Sequence, residues 1–243
     1  MTATAVSVEA EILAALSTVV DPELDQPVTE LGFVRSVAVG DDGVEVHLRL
    51  PTAFCAPNFA YLMVSDAHDA LTAVPGLGRI RVILDDHHDS EKINRGMAAA
   101  AGYVGTFGVE AESGLAELRS TFQRKAHLAA IERCCRPVLA GGAWTLEELP
   151  LLELFDLPEN RLKSALLRRR EAIGLPTDSH ARVLVGHDGS PVAKSDVARW
   201  LRLAAATRVS IEGNAHFCRG LLATRYDGID PAAPVVTNTR SRS

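Results

Sequence analysis

Residues 33–57 read FVRSVAVGDDGVEVHLRLPTAFCAP, and their alternation decides the architecture. Val44, Val46, Leu48 and Leu50 fall on one side of an extended segment, with Glu45, His47 and Arg49 on the other. A period of two marks a half-buried strand. Phe33 to Val39 is a second strand-forming run, and Gly40-Asp41-Asp42-Gly43 between the two is turn chemistry, so the pair is expected to form a β-hairpin. Working upstream, Ser7 can cap a helix in which Val8, Ile12, Ala15, Leu16 and Val19 recur at helical spacing, ended by Asp21-Pro22-Glu23. Working downstream, Pro51 to Pro57 is a loop. Phe59, Leu62, Met63, Ala67, Ala70, Leu71 and Val74 then line a second amphipathic helix, stopped by Pro75-Gly76-Leu77-Gly78. Ile80, Val82 and Leu84 alternate with Arg79 and Arg81 in a third strand.

The expected fold class is therefore α+β. An α-β-β-α-β domain with a small mixed sheet spans 1–89, a mainly helical extension spans 90–230, and a flexible Pro/Thr/Ser-rich tail spans 231–243. In the extension, 90–101 and 110–135 are expected as helices around the Gly102–Gly108 break. Residues 145–153 and 158–173 are expected as a helix pair, 182–192 as a small hairpin, and 194–208 and 214–225 as helices. The 243 residues are 47% apolar and 23% charged, which excludes wholesale disorder and suffices for a core without disulfides or metal. No apolar run is long enough to span a bilayer, so no membrane partner is expected. Met1 to Ser7 lacks a basic-then-apolar leader, and four cysteines in such a chain read as thiols of a reducing cytoplasm. The front is acidic: residues 1–89 hold four arginines against 14 carboxylates, net −10. The remainder holds 21 basic against 17 acidic residues, net +4, which marks two regions of different character.

The second strand, second helix and third strand form a crossover unit. If both strands share a sheet they run parallel, and their C-terminal ends lie on one edge. The loop with Thr52 and Cys55 would then meet Asp85-Asp86-His87-His88-Asp89. The segment with Asp21 and Glu23 would enter at the same edge. Ligand sites favour that edge. Cys55 lies two residues before Pro57, a residue suited to a first helical turn. A thiol at a helix N-terminus tends to the thiolate, which is both nucleophile and metal ligand. A buried apolar thiol is the alternative.

Asp21-Pro22-Glu23, then Leu31-Gly32-Phe33-Val34, the hairpin strand and Thr52-Ala53-Phe54-Cys55-Ala56-Pro57 resemble the iron–sulfur cluster assembly domain of PaaD-like and SufT-like proteins. The resemblance covers the first third of the chain. It implies the α/β arrangement above and a part in maturing iron–sulfur and related metal proteins. It also implies a functional cysteine at Cys55 and matches Asp21 and Glu23 to the family's Asp-Pro-Glu segment; these two would bind metal, act as a base toward Cys55 or only cap the chain, and Thr52 is taken with them as a supporting residue. The sequence departs from the family pattern where Ala56 separates Cys55 from Pro57 and Phe54 precedes the thiol. The segment from Asp85-Asp86-His87-His88 through Phe217-Cys218-Arg219 is similar to the long extension of actinobacterial members that accompany multicomponent di-iron monooxygenases. The implied role is a non-catalytic accessory factor. It would bind iron, an iron–sulfur cluster or zinc, and would deliver metal to a client metalloenzyme such as a monooxygenase component, or stabilise that client. Other assembly factors and a second copy of the chain are further candidate partners. No pair of Glu-x-x-His motifs is present, so the chain is not expected to be the oxygenase itself.

Further candidate ligands are Cys134, Cys218, His87 and His88. Cys134 and Cys135 are adjacent and would point about 100° apart on a helix, so one is taken. His216 and Cys218 would face opposite ways, so Cys218 is taken, giving a three-thiolate set with Cys55 and Cys134 if the helical region folds back. Thiolates suit iron–sulfur clusters, zinc and Cu(I), whereas the Asp/His run suits iron, manganese or zinc. Two other function classes compete. Residues 145–173 read as helix–turn–helix with 182–192 as a wing, which would place Arg161, Lys163, Arg168 and Arg169 on DNA in a metal- or redox-sensing regulator. The acidic whole chain and the scatter of the arginines around the helix argue against nucleic acid. A thiol enzyme using Cys55 with His87 or His88 would need an oxyanion stabiliser that the sequence does not display.

Overall fold

The computed structural model describes residues 7–108, 115–227 and 233–240. The chain divides into two compact units, one of residues 1–115 with 214–243 and one of 116–213.

In the first unit, Ser7 Oγ accepts from Ala10 N–H and starts α1, Val8–Leu16, whose Ile12 and Leu16 are fully buried. The helix stops before Val19 because the Ser17 and Thr18 hydroxyls turn back onto the Ala14 and Ala15 carbonyls. A short ladder follows, β1 (Val20–Asp21) antiparallel to β2 (Gln26–Pro27). The expected hairpin is present as β3 (Val34–Gly40) and β4 (Gly43–Leu48), with Val39 opposite Val44 and Gly40 opposite Gly43. α2, Pro57–Thr72, crosses to β5, Arg79–Leu84, which runs parallel to β4 with Val46 opposite Val82. Gly43 is required here: a Cβ on it would lie 2.0 Å from the Arg79 carbonyl oxygen.

Val37, Val39, Val44, Val46, Leu48, Val82 and Leu84 are buried in one core with Ile12 and Leu16 of α1 and Ala60, Met63, Val64, Ala67 and Leu71 of α2. Arg35, Asp85, His47, Glu45 and Arg81 form a chain of ion pairs and hydrogen bonds from β3 across β4 to β5. Arg49, grouped with the polar side in sequence, is instead buried. Its Nε donates to the Gly32 carbonyl, and its guanidinium lies 5.1 Å from the centre of the Tyr226 ring.

The boundary expected at residue 89 falls inside this unit. α3 (Ser90–Ala98) buries Ile93 in the same core, and Asn94 bonds both the N–H and the C=O of Leu84 on β5. α4 (Gly102–Phe107) occupies the expected glycine break and sets Tyr103 and Phe107 edge-on to Tyr61. The expectation of a loose tail from 231 is corrected over 235–238. There β6, Val235–Asn238, pairs parallel with β3, giving the sheet order β5-β4-β3-β6. Arg240 fastens this segment to the carbonyls of Gly40, Gly76 and Leu77.

In the second unit, α5 (Leu115–Ala140) runs on through Pro137, beyond the expected end at 135; residues 110–114 of that expected helix lie outside the described residues. The helix expected over 145–153 is only a 3-10 turn at Leu149–Leu151, followed by another at Leu154–Asp156, and α6 spans Arg161–Ala172. The expected 182–192 hairpin is reduced to a single bridge, Val185 to Pro191. The two helices expected at 194–208 and 214–225 are one, α7, Val197–Arg225, unbroken at Gly213. Its residues 197–213 belong to the second unit and 214–225 to the first. The second core gathers Ile131, Cys134, Cys135, Leu149, Leu154, Leu166, Val183 and Val197. Among the described residues, no helix is long and apolar enough to cross a membrane.

Candidate functional site

The site lies at the edge where β4 and β5 end. The strand pairing that the sequence required for this convergence is present. After β4 the chain turns through Pro51–Ala56, and Pro57 sits in the first turn of α2, where its missing N–H costs nothing. Cys55 immediately precedes the cap residue Ala56, one residue outside the helix. Thr52 Oγ1 accepts from Phe54 N–H at 3.1 Å and lies 3.6 Å from Cys55 Sγ, so the supporting threonine shapes the turn that presents the thiol.

His87 fixes the same turn from β5. Asp89 N–H donates to His87 Nδ1 at 3.0 Å, which leaves the proton on Nε2, and Nε2–H donates to the Cys55 carbonyl at 2.8 Å. Both ring nitrogens are thereby engaged with backbone, so His87 holds the thiol's loop and has no free lone pair for a metal. His88 is exposed. Its N–H donates to the Ala53 carbonyl at 2.8 Å, and its ring lies 5.9 Å from that of Phe54. Asp85 and Asp86 are taken up by Arg35, His47 and Tyr226. In the expected Asp/His metal run, Asp85, Asp86 and His87 are thus engaged within the protein.

Asp21 and Glu23 arrive from β1. Asp21 Oδ1 accepts from the N–H groups of Glu23 (2.9 Å) and Leu24 (2.8 Å). Asp21 is only 6% exposed. Burial raises its pKa to about 6 against the pull of those two hydrogen bonds. Asp21, Glu23, Cys55 and Cys218 line one pocket of about 100 Å³, with Phe59 and Met63 of α2 among its apolar walls.

Cys218 comes from the last part of α7. Ala215, Cys218 and Leu222 share a face of that helix that packs on the first unit's core. The helix end is held by Asn214 on Glu23 (3.2 Å), Arg219 on Gln26 (2.5 Å) and Arg225 on the Leu50 carbonyl (3.1 Å). Burial, and then the charges of Cys55, Asp21 and Glu23, push the Cys218 thiol up to about 11. Sequence reasoning reached Cys218 but missed Asn214 and Arg225. The i, i+3, i+7 spacing of Ala215, Cys218 and Leu222 was the available signal for a docked face.

Cys134 is not brought to this pocket. It sits in the second unit's apolar core, where burial raises its thiol to about 11. Cys135 beside it is shifted up still further by burial. Among the described residues, no three His, Cys, Asp or Glu side chains gather to hold a metal ion. The basic residues of α6 form no phosphate-facing surface. Lys163 is buried and paired with Glu159, Arg169 bonds the Ala165 carbonyl, and only Arg161 and Arg168 are exposed. Arg170 is also buried, on the Pro176 and Arg182 carbonyls.

Residues 9–83 match the family model described as iron-sulfur cluster assembly protein. Over this part of its length the chain is similar to that family. It is 39% identical over 84 residues to an iron-sulfur cluster carrier protein of Mycobacterium tuberculosis, an alignment covering 34% of this chain and 22% of that protein. The carrier protein of Mycobacterium leprae is 32% identical over 89 residues, covering 36% and 23%. An uncharacterized protein of Methanocaldococcus jannaschii is 29% identical over 85 residues, covering 35% of this chain and 87% of its own length. The chain therefore spans under a quarter of the carrier proteins it matches. No solved structure matches the chain significantly. The resemblance read from Asp21 to Pro57 lies within the matched residues.

Proposed function

We propose that the chain is a non-catalytic cytoplasmic carrier that takes an iron–sulfur cluster onto Cys55 as cargo and passes it to a client metalloenzyme. The observation that supports this best is the placement of Cys55. It is a half-buried thiol, aligned by Thr52 and held through its carbonyl by His87, in a pocket whose other polar groups are anionic when deprotonated. Iron is the complement of such a pocket, and thiolates are the ligands that clusters take. A carrier must also release. A thiol on a loop at a sheet edge is open to attack by a client's thiolates, whereas a closed four-ligand site would retain its metal. The client end of the proposal rests on the likeness of the segment from Asp85 to Arg219 to members that accompany multicomponent di-iron monooxygenases. An oxygenase component or its iron–sulfur reductase is the client proposed.

The test is anaerobic reconstitution with ferrous iron and sulfide, measurement of bound iron and acid-labile sulfide, and transfer to an apo-enzyme that needs a cluster for activity. The expected result is that the wild type binds both and restores activity. Cys55→Ser, with an unchanged far-ultraviolet spectrum, is expected to lose at least roughly tenfold in retained iron, the low end of what even outer-shell changes cost. A wild type that binds neither, or a Cys55→Ser variant equal to it in binding and transfer, overturns the proposal.

A further inference from the structure

We propose that Cys218 is the second thiol of the Cys55 site, and that two copies of the chain, each supplying Cys55 and Cys218, hold one cluster between them. This rests on the carrier reading and adds to it a ligand that lies outside the matched residues 9–83.

Cys55 and Cys218 line the same pocket, although 163 positions separate them in sequence. Cys218 is delivered there by a helix whose face is anchored in the core through Ala215 and Leu222, and whose polar contacts reach Glu23 and Gln26. The positive charge nearest to Cys218 in sequence, Arg219, is directed to Gln26. Two thiols and two carboxylates are thus collected in one recess, an arrangement that a metal-rich ligand offsets.

The count then decides the stoichiometry. Clusters are held by four thiolates. One chain presents two at this pocket, and among the described residues no third His, Cys, Asp or Glu completes a metal-binding set. Cys134 and Cys135 are spent in the second unit's core. The missing pair has to come from another molecule, and a two-fold related copy supplies the same two residues.

A second observation favours a copy of this chain. Phe54 and Phe217, each the residue immediately before a pocket thiol, are 80% and 65% exposed. Large aromatic side chains beside a buried anchor point are typical of protein contacts. In a symmetric contact each would find the other copy's apolar rim. Ligation is an exchange without redox change: each Cys thiol gives its proton to solvent as its sulfur bonds iron, and the water or solution thiolate that iron carried before leaves as that bond breaks.

The test is anaerobic reconstitution of the full chain with ferrous iron and sulfide, followed by light scattering on a sizing column and by iron and sulfide analysis. The wild type is expected as a monomer without iron and as a dimer carrying one cluster per two chains. Cys218→Ser is expected to remain monomeric and to lose at least roughly tenfold in retained iron. Cys218→Ala, which is closer to an apolar thiol, replaces it if the serine disturbs packing. Phe54→Ser combined with Phe217→Ser is expected to weaken cluster-loaded dimerisation at least roughly tenfold while both thiols remain. A Cys218 variant that dimerises and holds iron like the wild type overturns the proposal and leaves Cys55 standing. So does a loaded monomer, or a dimer that survives iron chelation. A wild type that binds no iron overturns the carrier reading as well.

Discussion

Replacing Asp21 by Asn isolates the charge of a buried carboxyl from its hydrogen bonds. Asp21 Oδ1 accepts from two backbone N–H groups, and an asparagine Oδ1 can accept both. What changes is the ionisable proton. Burial raises the carboxyl from 3.8 to about 6, so the folded state binds a proton more tightly than the unfolded chain does between those values. Stability in the wild type is therefore present below about pH 4 and is lost as pH rises through about 6. Two pH units are worth ~3 kcal/mol. The Asn variant has no such dependence, so its advantage over the wild type should grow from near zero at pH 4 to ~3 kcal/mol above pH 7. Cys218, which faces the same pocket, titrates near 11 and does not enter this window. Because the chain has two compact units, a global melt would mix their transitions. Hydrogen exchange of metal-free protein, read at peptides covering β1, β2 and α2, gives the local free energy. Asp21→Ala, which loses both acceptor contacts, should fall below Asn by ~1–2 kcal/mol at every pH. A wild-type-to-Asn difference that stays constant from pH 4 to 8, or an Asn variant less stable at pH 8, would refute the reasoning.

His127 tests the opposite sign in the second unit. It is 2% exposed, its Nε2 has no partner, and burial, with Arg170 next, lowers its pKa to about 4. The unfolded chain takes up that proton first, so the wild type should lose ~3 kcal/mol as pH falls from 6.5 to 4, a loss that His127→Leu removes. Acid titration followed by exchange in α5 measures it, and parallel curves count against it. Gly43→Ala drives a Cβ into the Arg79 carbonyl and should destabilise the first unit by ~3 kcal/mol, seen as a lowered denaturant midpoint; an unchanged midpoint means β4 and β5 part without cost. His87→Ala frees the Cys55 carbonyl and should cost ~1–2 kcal/mol. It should also reduce retained iron without altering the helix signal, and undiminished retention would show that the thiol needs no such support.

The core of the first unit was legible because its signals are local. Alternation from Val44 to Leu48 gave β4, Arg79–Leu84 was read to the residue, and Pro57 with the Phe59–Leu71 stripe gave α2. Topology alone then placed Asp21, Glu23 and Cys55 at one edge, and the pocket contains all three. The misreadings come from positions where tertiary contacts override local preference. Gly213 weakens a helix by about 1 kcal/mol against Ala, yet α7 continues through it, with Ile211 and Ala215 buried on either side. β6 carries no alternation because all its residues are exposed; its order comes from backbone pairing with β3 and from Arg240. His87 looked like a ligand because an Asp/His run is ambiguous in sequence. Only the contacts of its two ring nitrogens show that it acts on the backbone.

The matched residues end at Ile83, but the unit they build does not. The three strands β5, β4 and β3 leave two edges, and an unpaired edge is a liability. Here both edges are dressed by residues outside the match. Asn94 side-chain atoms bond Leu84 on β5, and β6 pairs with β3. Residues 214–225 add Ala215 and Leu222 to the core and Cys218 to the pocket. The second unit is therefore an insertion between two segments that both belong to the first, a placement that domains tolerate when the flanking ends are fixed by their own packing. Such an arrangement makes the site dependent on the whole chain. Cys55 lies within the matched residues, whereas Cys218 reaches the pocket only after residues 116–213 have been traversed and the helix has docked. Isolating residues 1–89, the span that the sequence marks out most clearly, would keep the first thiol and discard the second.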